Sequence, residues 1–410
     1  MKGFVGKHFL LIVENNSVPF DKRVWREAVA LKDEGALVSV IAPKEGVDSK
    51  NFEIIDFINV FRYRLAFSDG SKYGYILEYL SAFTKTFLLF HKVWYGKGKF
   101  EVVHVANPPD MFWPLAIYCN LFNIKFIFDE HDLTPETLLS RFQLTEEKAG
   151  ILFRVLKLFQ RFSYKYSDAV ISTNESYRAK AIEIFPRNEG KIFIVRNGPD
   201  TRTFRSKTRN DELKNGKSYL FAYIGIMAVQ DGVEYVINSV NYLVKEKNFN
   251  DFIVYLIGSG SDVKRLKRMT AEYAVDQYVV FTGRIADEPA IEILSTADVC
   301  LSPDPFNPLN DSSTMNKVME YMALGKPIVS FDLKEAKYSA KEAALYVERN
   351  NYRAFAEGIL SVIHNERMAI RMGEFGMRRV ATELSWQNQI RNLISCYQFV
   401  LSNDRQLVRR

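Results

Sequence analysis

The chain has 410 residues, 47% of them hydrophobic and 25% charged, an ordinary globular composition with length for two or three domains. Its net charge of +6 divides evenly, 27 basic against 24 acidic groups in residues 1–200 and 28 against 25 in 201–410, so no basic domain points to nucleic acid. Cys119, Cys300 and Cys396 lie far apart with no C-x-x-C pair, which indicates neither a zinc site nor a disulfide framework and reads as buried thiols in a reducing cytoplasm.

In chain order, His8–Val13 reads as a strand. The polar Glu14-Asn15-Asn16 that follows is not the continuation of a signal peptide. Lys22–Glu34 is a helix and Val38–Ala42 a strand. Phe61–Phe100 carries seven Lys/Arg against two acids, interleaved with aromatics. Val102–Ala106 is a strand, and Met111–Phe122 a helix within a near-apolar run, Met111–Ile124, too short to span a bilayer. Lys125–Phe128 is a strand. A following amphipathic helix puts Arg154, Lys157, Arg161 and Lys165 along one edge, with Ile151, Leu152, Val155, Leu156, Phe159 and Phe162 on a side predicted to face a core. Strands at Ala169–Ser172 and Lys191–Arg196 close the first half. The turn Asn197-Gly198-Pro199-Asp200 and the polar, aperiodic Arg202–Lys217 then separate it from the second.

The second half repeats the alternation, with strands at Tyr219–Ile224, Phe252–Ile257, Val279–Thr282, Val299–Ser302, Ile328–Phe331 and Ala344–Val347. Apolar strands alternating with helices predict parallel sheets covered on both faces. The expectation is an α/β chain of two Rossmann-like domains, 1–200 and 201–380, with a terminal segment, 381–410, whose helix (about Ser385–Leu401) crosses back to the first domain. Ligands of such sheets collect at the carboxyl ends of the strands. Those ends carry Asn15–Asp21, Asn107 and Glu130–Asp132 in the first half, and Gly225–Gly232, Gly258–Gly260, Gly283–Arg284 and Pro303–Ser313 in the second.

The stretch Asn310–Phe331, NDSSTMNKVMEYMALGKPIVSF, is the most informative. As a helix it puts Met315, Val318, Met319 and Met322 on an apolar stripe and Ser313, Lys317 and Glu320 on a polar one. Ser312, Ser313 and Thr314 are N-cap residue types, and Gly325 with Pro327 is a stop. Such a helix offers backbone N–H groups and a lysine to a diphosphate, and a carboxylate to ribose hydroxyls two turns in. Read alone, the segment is equally a capped surface helix in which Lys317 and Glu320 pair.

Glu320–Val329 resembles the donor-binding signature of family-4 glycosyltransferases, retaining nucleotide-sugar enzymes of the GT-B fold, here of the bacterial surface-polysaccharide type. Val18–Gly35 (VPFDKRVWREAVALKDEG), Phe128–Glu136 (FDEHDLTPE), Val170–Ser176, Val195–Asp200 (VRNGPD), Gly225–Tyr235 (GIMAVQDGVEY) and Phe281–Ile285 (FTGRI) follow in that family's order, from about residue 9 to about residue 400. The resemblance implies two Rossmann-like domains with parallel sheets facing a central cleft. It implies sugar transfer from a nucleotide-linked donor, uracil first and guanine next, to a saccharide or lipid-linked acceptor.

The same resemblance distributes the roles. Glu320 takes the ribose. Lys317 and the helix start at Ser312, Ser313, Thr314, Met315 and Asn316 take the diphosphate, with Gly283, Arg284, Asn197 and Gly225 completing the donor site. His131, flanked by Glu130 and Asp132, serves the reaction, and Asp21 and Arg23 meet acceptor or phosphate. His131 also reads as a loop histidine paired with an acid, and Asp21 and Arg23 as a solvated helix start. No metal or other cofactor is implied, the nucleotide sugar being a substrate.

The chain departs from the pattern at Ser312, where the family has a glutamate, and at Gln230-Asp231-Gly232, where a lysine is usual. An aspartate there repels a diphosphate unless it turns away. The basic, aromatic stretches of the first half suggest contact with an anionic inner membrane face by a cytoplasmic protein. Two other readings stand: a sugar-nucleotide epimerase of the same architecture, and a non-catalytic, transferase-like partner subunit.

Overall fold

The structure, a computed structural model, describes residues 3–44, 49–65, 72–142 and 144–402. The chain divides into two compact units. The first takes in residues 3–196 together with 390–402, and the second Asn197–Gln389.

The first unit contains strands β1 (His8–Ile12), β2 (Leu37–Pro43), β3 (Phe52–Ile55), β4 (Ile58–Tyr63), β5 (Val102–Ala106), β6 (Lys125–Glu130), β7 (Ala169–Ser172) and β8 (Ile192–Ile194). Its helices are α1 (Lys22–Asp33), α2 (Lys72–Lys97), α3 (Trp113–Leu121), α4 (Thr134–Phe142), α5 (Glu146–Tyr166) and α6 (Glu175–Ile184). The second has β9 (Tyr219–Ile224), β10 (Phe252–Ile257), β11 (Val279–Gly283), β12 (Val299–Ser302), β13 (Ile328–Phe331) and β14 (Ala344–Val347). Its helices are α7 (Val233–Lys245), α8 (Val263–Glu272), α9 (Asp287–Thr296), α10 (Pro308–Ser312), α11 (Asn316–Ala323), α12 (Lys334–Ala340), α13 (Tyr352–Ile363) and α14 (Glu366–Arg379). The last helix, α15 (Trp386–Ser402), begins in the second unit and ends in the first.

The strand orders are β3-β4-β2-β1-β5-β6-β7-β8 and β11-β10-β9-β12-β13-β14. Every pair is parallel except β3 with β4. Each chain path starts mid-sheet, runs to one edge and returns to fill the other. The connections leaving β1 and β5, and those leaving β9 and β12, therefore diverge and open a crevice at the strands' carboxyl ends. Strands buried on both faces, such as His8–Ile12 and Val102–Ala106, need apolar runs, and these are the runs the sequence shows.

Three elements differ from the sequence-based expectation. The hairpin β3–β4 turns on Asp56 and Phe57, both at positive φ (47° and 65°). Two-residue turns of this kind ordinarily carry Asn or Gly, so no turn signal marks it. Phe61 and Tyr63 are consequently core residues, and Arg62 is buried, donating to Val18 O at 2.7 Å. They do not begin an exposed basic-aromatic face. Residues 66–71 of the stretch Phe61–Phe100 lie outside the described residues.

In α5, Ile151 and Val155 face solvent (79% and 37% exposed), while Phe153, Gln160, Ser163 and Tyr164 are buried. Gly150 (φ 61°) interrupts the helix and resets its phase, and the buried Gln160 disguises the true core stripe.

The expected single helix from Asn310 is broken. Ser313 and Met315 have extended backbone, separating α10 from α11. The Ser312-Ser313-Thr314 run favours this, because short hydroxyl side chains compete for backbone groups; Ser313 Oγ donates to Leu309 O at 2.8 Å.

In the second unit the buried Tyr321 on α11 pins two strands. Its hydroxyl accepts from Ile224 N at 2.9 Å and donates to Leu301 O at 3.1 Å. Tyr321→Phe strands both backbone groups, so urea unfolding should register a loss of about 1–3 kcal/mol, the usual penalty for unpaired buried partners.

Candidate functional site

In the first unit, α1 starts at Asp21, whose Oδ1 accepts from Arg23 N and Val24 N at 3.1 and 3.0 Å. Asp21 is thus an N-cap. Arg23, the second residue of the helix, is only 5% exposed and points inward. Its Nη2 meets Asp129 Oδ1 at 2.9 Å, its Nε lies 3.3 Å from Asp129 Oδ2, and its Nη1 donates to Val195 O at 2.8 Å. His131 Nε2 lies 2.6 Å from Asp129 Oδ2 and 2.9 Å from Arg23 Nε. Around this core stand Glu27, 3.3 Å from Arg23 Nε, and His104, whose Nε2 is 3.3 Å from Asp129 Oδ2 and whose Nδ1 is bonded to Tyr397 Oη at 2.9 Å.

The electrostatics follow from one cation among three carboxyl and imidazole partners. Burial alone would raise Asp129, but Arg23 and His131 outweigh it and hold the carboxyl well below the usual carboxylate range. Burial, then repulsion from Asp129, pushes Glu27 well above that range, so it keeps its proton. Burial lowers His104, leaving it neutral. An ionised Asp129 only accepts, so the 2.6 Å contact asks for a proton on His131 Nε2, whereas the Arg23 Nε–H at 2.9 Å points at a lone pair on the same nitrogen; the two contacts call for opposite tautomers. Among the described residues no hydrogen-bond partner occupies His131 Nδ1.

Glu27, Asp129 and His131 bring three ligand-type atoms within 4.8 Å of one another. Arg23 already meets both oxygens of Asp129, so a cation there would have to displace a buried guanidinium.

Asn107, at the end of β5, shapes the loop after β6. Its Oδ1 accepts from His131 N at 2.6 Å and Asp132 N at 3.1 Å. Its Nδ2 donates to Asp110 Oδ1 and Asp132 O, both at 2.7 Å.

Strand alternation separates the three neighbours in Glu130-His131-Asp132. Asp129 shares a side with His131, whereas Glu130 turns to the opposite face, accepting from Gln160 Nε2 at 3.1 Å and from the Tyr164 hydroxyl. Burial raises Glu130 to about 8. Burial also raises Asp132, against the pull of His131.

In the second unit, the carboxyl ends of β9, β10 and β11 pack side by side. Gly258 N donates to Gly283 O at 3.0 Å, and a Cβ on Gly258 (φ 132°) would lie 1.9 Å from Gly225 O. Gly225 and Gly283 are thereby brought together. Arg284 beyond them is exposed, and Asn197 opens the unit at its other end.

Asn310 Nδ2 donates to Gln230 O and Pro305 O (3.0 and 2.9 Å), joining the loop after β9 to that after β12. No side chain caps α11 at Met315; Ser312 ends α10, and Ser313 and Thr314 lie in the break. Glu320 sits half-buried in the middle of α11.

Lys317, 9% exposed, is held by Asp304 at 2.6 Å beneath the Tyr223 ring at 5.1 Å. Burial opposes its charge, but Asp304 and Tyr223 raise it above the ordinary lysine range. Asp231 turns toward Ala228 N at 3.0 Å, and burial lifts it to about 6 against the pull of Lys317. Asp304 is the residue sequence reasoning missed: it lies 13 positions before Lys317 with no motif to flag it.

Residues 22–203 match the family described as Glycosyltransferase Family 4, and residues 218–365 match Glycosyl transferases group 1. An uncharacterized glycosyltransferase of Methanocaldococcus jannaschii is 21% identical over 271 residues. That match takes in 65% of this chain and 66% of the relative, so the chain spans about two thirds of the relative's length. Among solved structures, sucrose-phosphate synthase from Thermosynechococcus elongatus is similar at TM-score 0.78 and 18% identity, covering 96% of this chain and 99% of that one. Anabaena HepE in complex with UDP-glucose reaches TM-score 0.68 at 13% identity, covering 95% and 99%.

Glu130 leads to a pH prediction. Its folded-state pKa, about 8, stands above an unfolded value of about 4.3, so the native state binds a proton that the unfolded chain releases. Unfolding free energy then falls as pH rises from about 4.5 towards 8, by up to ~1.4 kcal/mol per pH unit for one group. In Glu130→Gln, urea midpoints measured across this range should show a shallower decline than wild type. An unchanged slope would mean Glu130 is ionised in the folded protein.

Proposed function

The chain belongs to the family-4, group 1 glycosyltransferases of the GT-B fold, and from that premise we propose retaining transfer of a sugar from a UDP-linked donor to a saccharide or lipid-linked acceptor in polysaccharide assembly. The observation that carries this reading is His131, part-buried just past the carboxyl end of β6 with Nε2 held 2.6 Å from Asp129. Anabaena HepE, whose structure holds UDP-glucose, supports uridine as the nucleoside.

In the proposed reaction the acceptor hydroxyl oxygen bonds to the anomeric carbon as the carbon–oxygen bond to diphosphate breaks. The electron pair leaves with the phosphate, which also takes the hydroxyl proton. His131 Nδ1 hydrogen-bonds a sugar hydroxyl and orients it, while Arg23 keeps Asp129 ionised so that the imidazole does not turn. Neither nearby carboxyl suits a covalent intermediate: Asp129 is saturated by Arg23 and His131, and Glu27 keeps its proton. The reading includes transfer without a metal ion, since charge within the cluster is already balanced.

On the donor side, Glu320 serves the ribose. Because Asp304 takes up the charge of Lys317, attraction for the diphosphate rests more on the N-terminal N–H groups of α11 than on that lysine. No described helix is long and apolar enough to cross a membrane. The proposal places the enzyme in the cytoplasm at the inner membrane face, with exposed Arg154, Lys157, Arg161 and Lys165 toward anionic lipid.

Two substitutions test the assignment. Glu320→Ala should weaken UDP binding by about 1–3 kcal/mol in calorimetric titration. His131→Ala should leave UDP affinity nearly intact while turnover of a UDP-sugar falls roughly 10²-fold or more. UDP affinity unchanged in the first, or collapsed in the second, contradicts the respective role. Lys317→Ala is a poorer probe, because abandoning the buried Asp304 should cost about 3–5 kcal/mol of stability.

A further inference from the structure

We propose that a cavity between α2, α4 and α5 in the first unit holds the hydrocarbon chain of an anionic lipid-linked acceptor. The cavity is about 310 Å³, walled by Leu80, Leu138, Phe142, Leu152, Leu156 and Phe159. An apolar cavity of about 150 Å³ takes up benzene, so twice that volume has room for roughly a dozen carbon atoms. The proposal rests on the glycosyltransferase reading and names the class of its acceptor.

Three observations point to this ligand. First, the apolar surface does not end at the cavity wall. Leu80 and Val155 at its edge are 53% and 37% exposed, and Leu77 and Ile151 beside them are 67% and 79% exposed. A chain lying there removes this surface from water.

Second, one wall is polar. Asp110 lines the cavity at 1% exposure, and its Oδ2 has no hydrogen-bond partner; Thr137 Oγ1 nearby also lacks one. The other oxygen of Asp110 accepts from Asn107, the residue that holds the His131 backbone. Polar groups at the head of a bound chain would meet Asp110 and Thr137. Burial raises Asp110 to about 7, which lessens its repulsion of an anionic head.

Third, the charge on α5 beyond its acidic first turn (Glu146, Glu147) is basic, although Lys157 lies 3.9 Å from Glu146. From Ile151 to Tyr166 it carries Arg154, Lys157, Arg161 and Lys165 and no acidic residue, and all four cations are exposed.

The test uses the full chain titrated with dodecyl phosphate below its aggregation concentration, against butyl phosphate, inorganic phosphate and dodecyl maltoside. Dodecyl phosphate should bind saturably at one per chain, at least about 100-fold more tightly than butyl phosphate, because eight further methylenes leave water. Leu156→Trp, which fills the cavity, and Val155→Trp, at its rim, should each weaken dodecyl phosphate at least about tenfold, by displacing the chain from its apolar wall. UDP affinity should be unchanged in both, and a circular dichroism spectrum and urea midpoint close to wild type's verify that the first unit is folded. Equal binding of butyl and dodecyl phosphate, or indifference to both tryptophans, overturns the site. Dodecyl maltoside binding as tightly as dodecyl phosphate overturns the anionic assignment. Failure of UDP to bind wild type would refute the transferase reading itself, whereas intact UDP binding without alkyl phosphate binding refutes only this inference.

Discussion

The ion pair between Arg23 and Asp129 is the interaction on which the first unit's functional edge depends. Both groups are almost fully buried, and such a pair is tolerated only when its remaining hydrogen-bonding capacity is used. Here it is: Arg23 also reaches Val195 O beyond β8, and Asp129 also receives His131. One contact therefore ties the start of α1 to the ends of β6 and β8 and fixes the direction of the imidazole. A single guanidinium neutralises one carboxylate, so Glu27 must stay protonated and His104 neutral. Tyr397 on α15 bonds His104, so the chain's last helix supports a centre built mainly from its first 200 residues.

The second unit uses the same device. Arg23 and Lys317 are each the second residue of a helix, and each is buried against an aspartate supplied near a strand end. In neither case is the cation simply offered to a ligand. Its charge stabilises a carboxylate, and that pair holds loops at the crevice of its sheet. In the proposed reaction the backbone N–H groups of α11 and His131 are then the groups left to meet substrate. Both are rigid because of what lies beneath them.

Much of the fold was legible in the sequence because parallel strands buried on both faces must be apolar runs, and β5, β7, β9, β10, β12, β13 and β14 coincide with such runs. What was not legible has local causes. The β3–β4 turn is made by Asp56-Phe57 rather than by glycine or asparagine. The core stripe of α5 is interrupted by Gly150 and includes the polar Gln160. Three hydroxyl residues break the helix before α11. Of the first unit's cluster, His131 and Arg23 were readable from their segments, and the period of two along β6 could have singled out Asp129 as the partner on His131's side in place of Glu130. Glu27 and His104 had no such signal. They are charged or polar residues on core faces, brought together only by the fold.

The buried carboxyls also change what the formal charge means. A net +6 counts every acid as ionised. Burial first of all raises Glu14 and Glu130 to about 8 and Asp110 to about 7, and lifts Glu27 well above the carboxylate range. All four are in the first unit, on or beside the carboxyl ends of its strands. At neutral pH most of their negative charge is absent, so that edge is more positive than the even division of charged residues implies. An anionic ligand meets less repulsion there than the sequence count predicts, and the advantage fades as pH rises through 8 and these groups ionise.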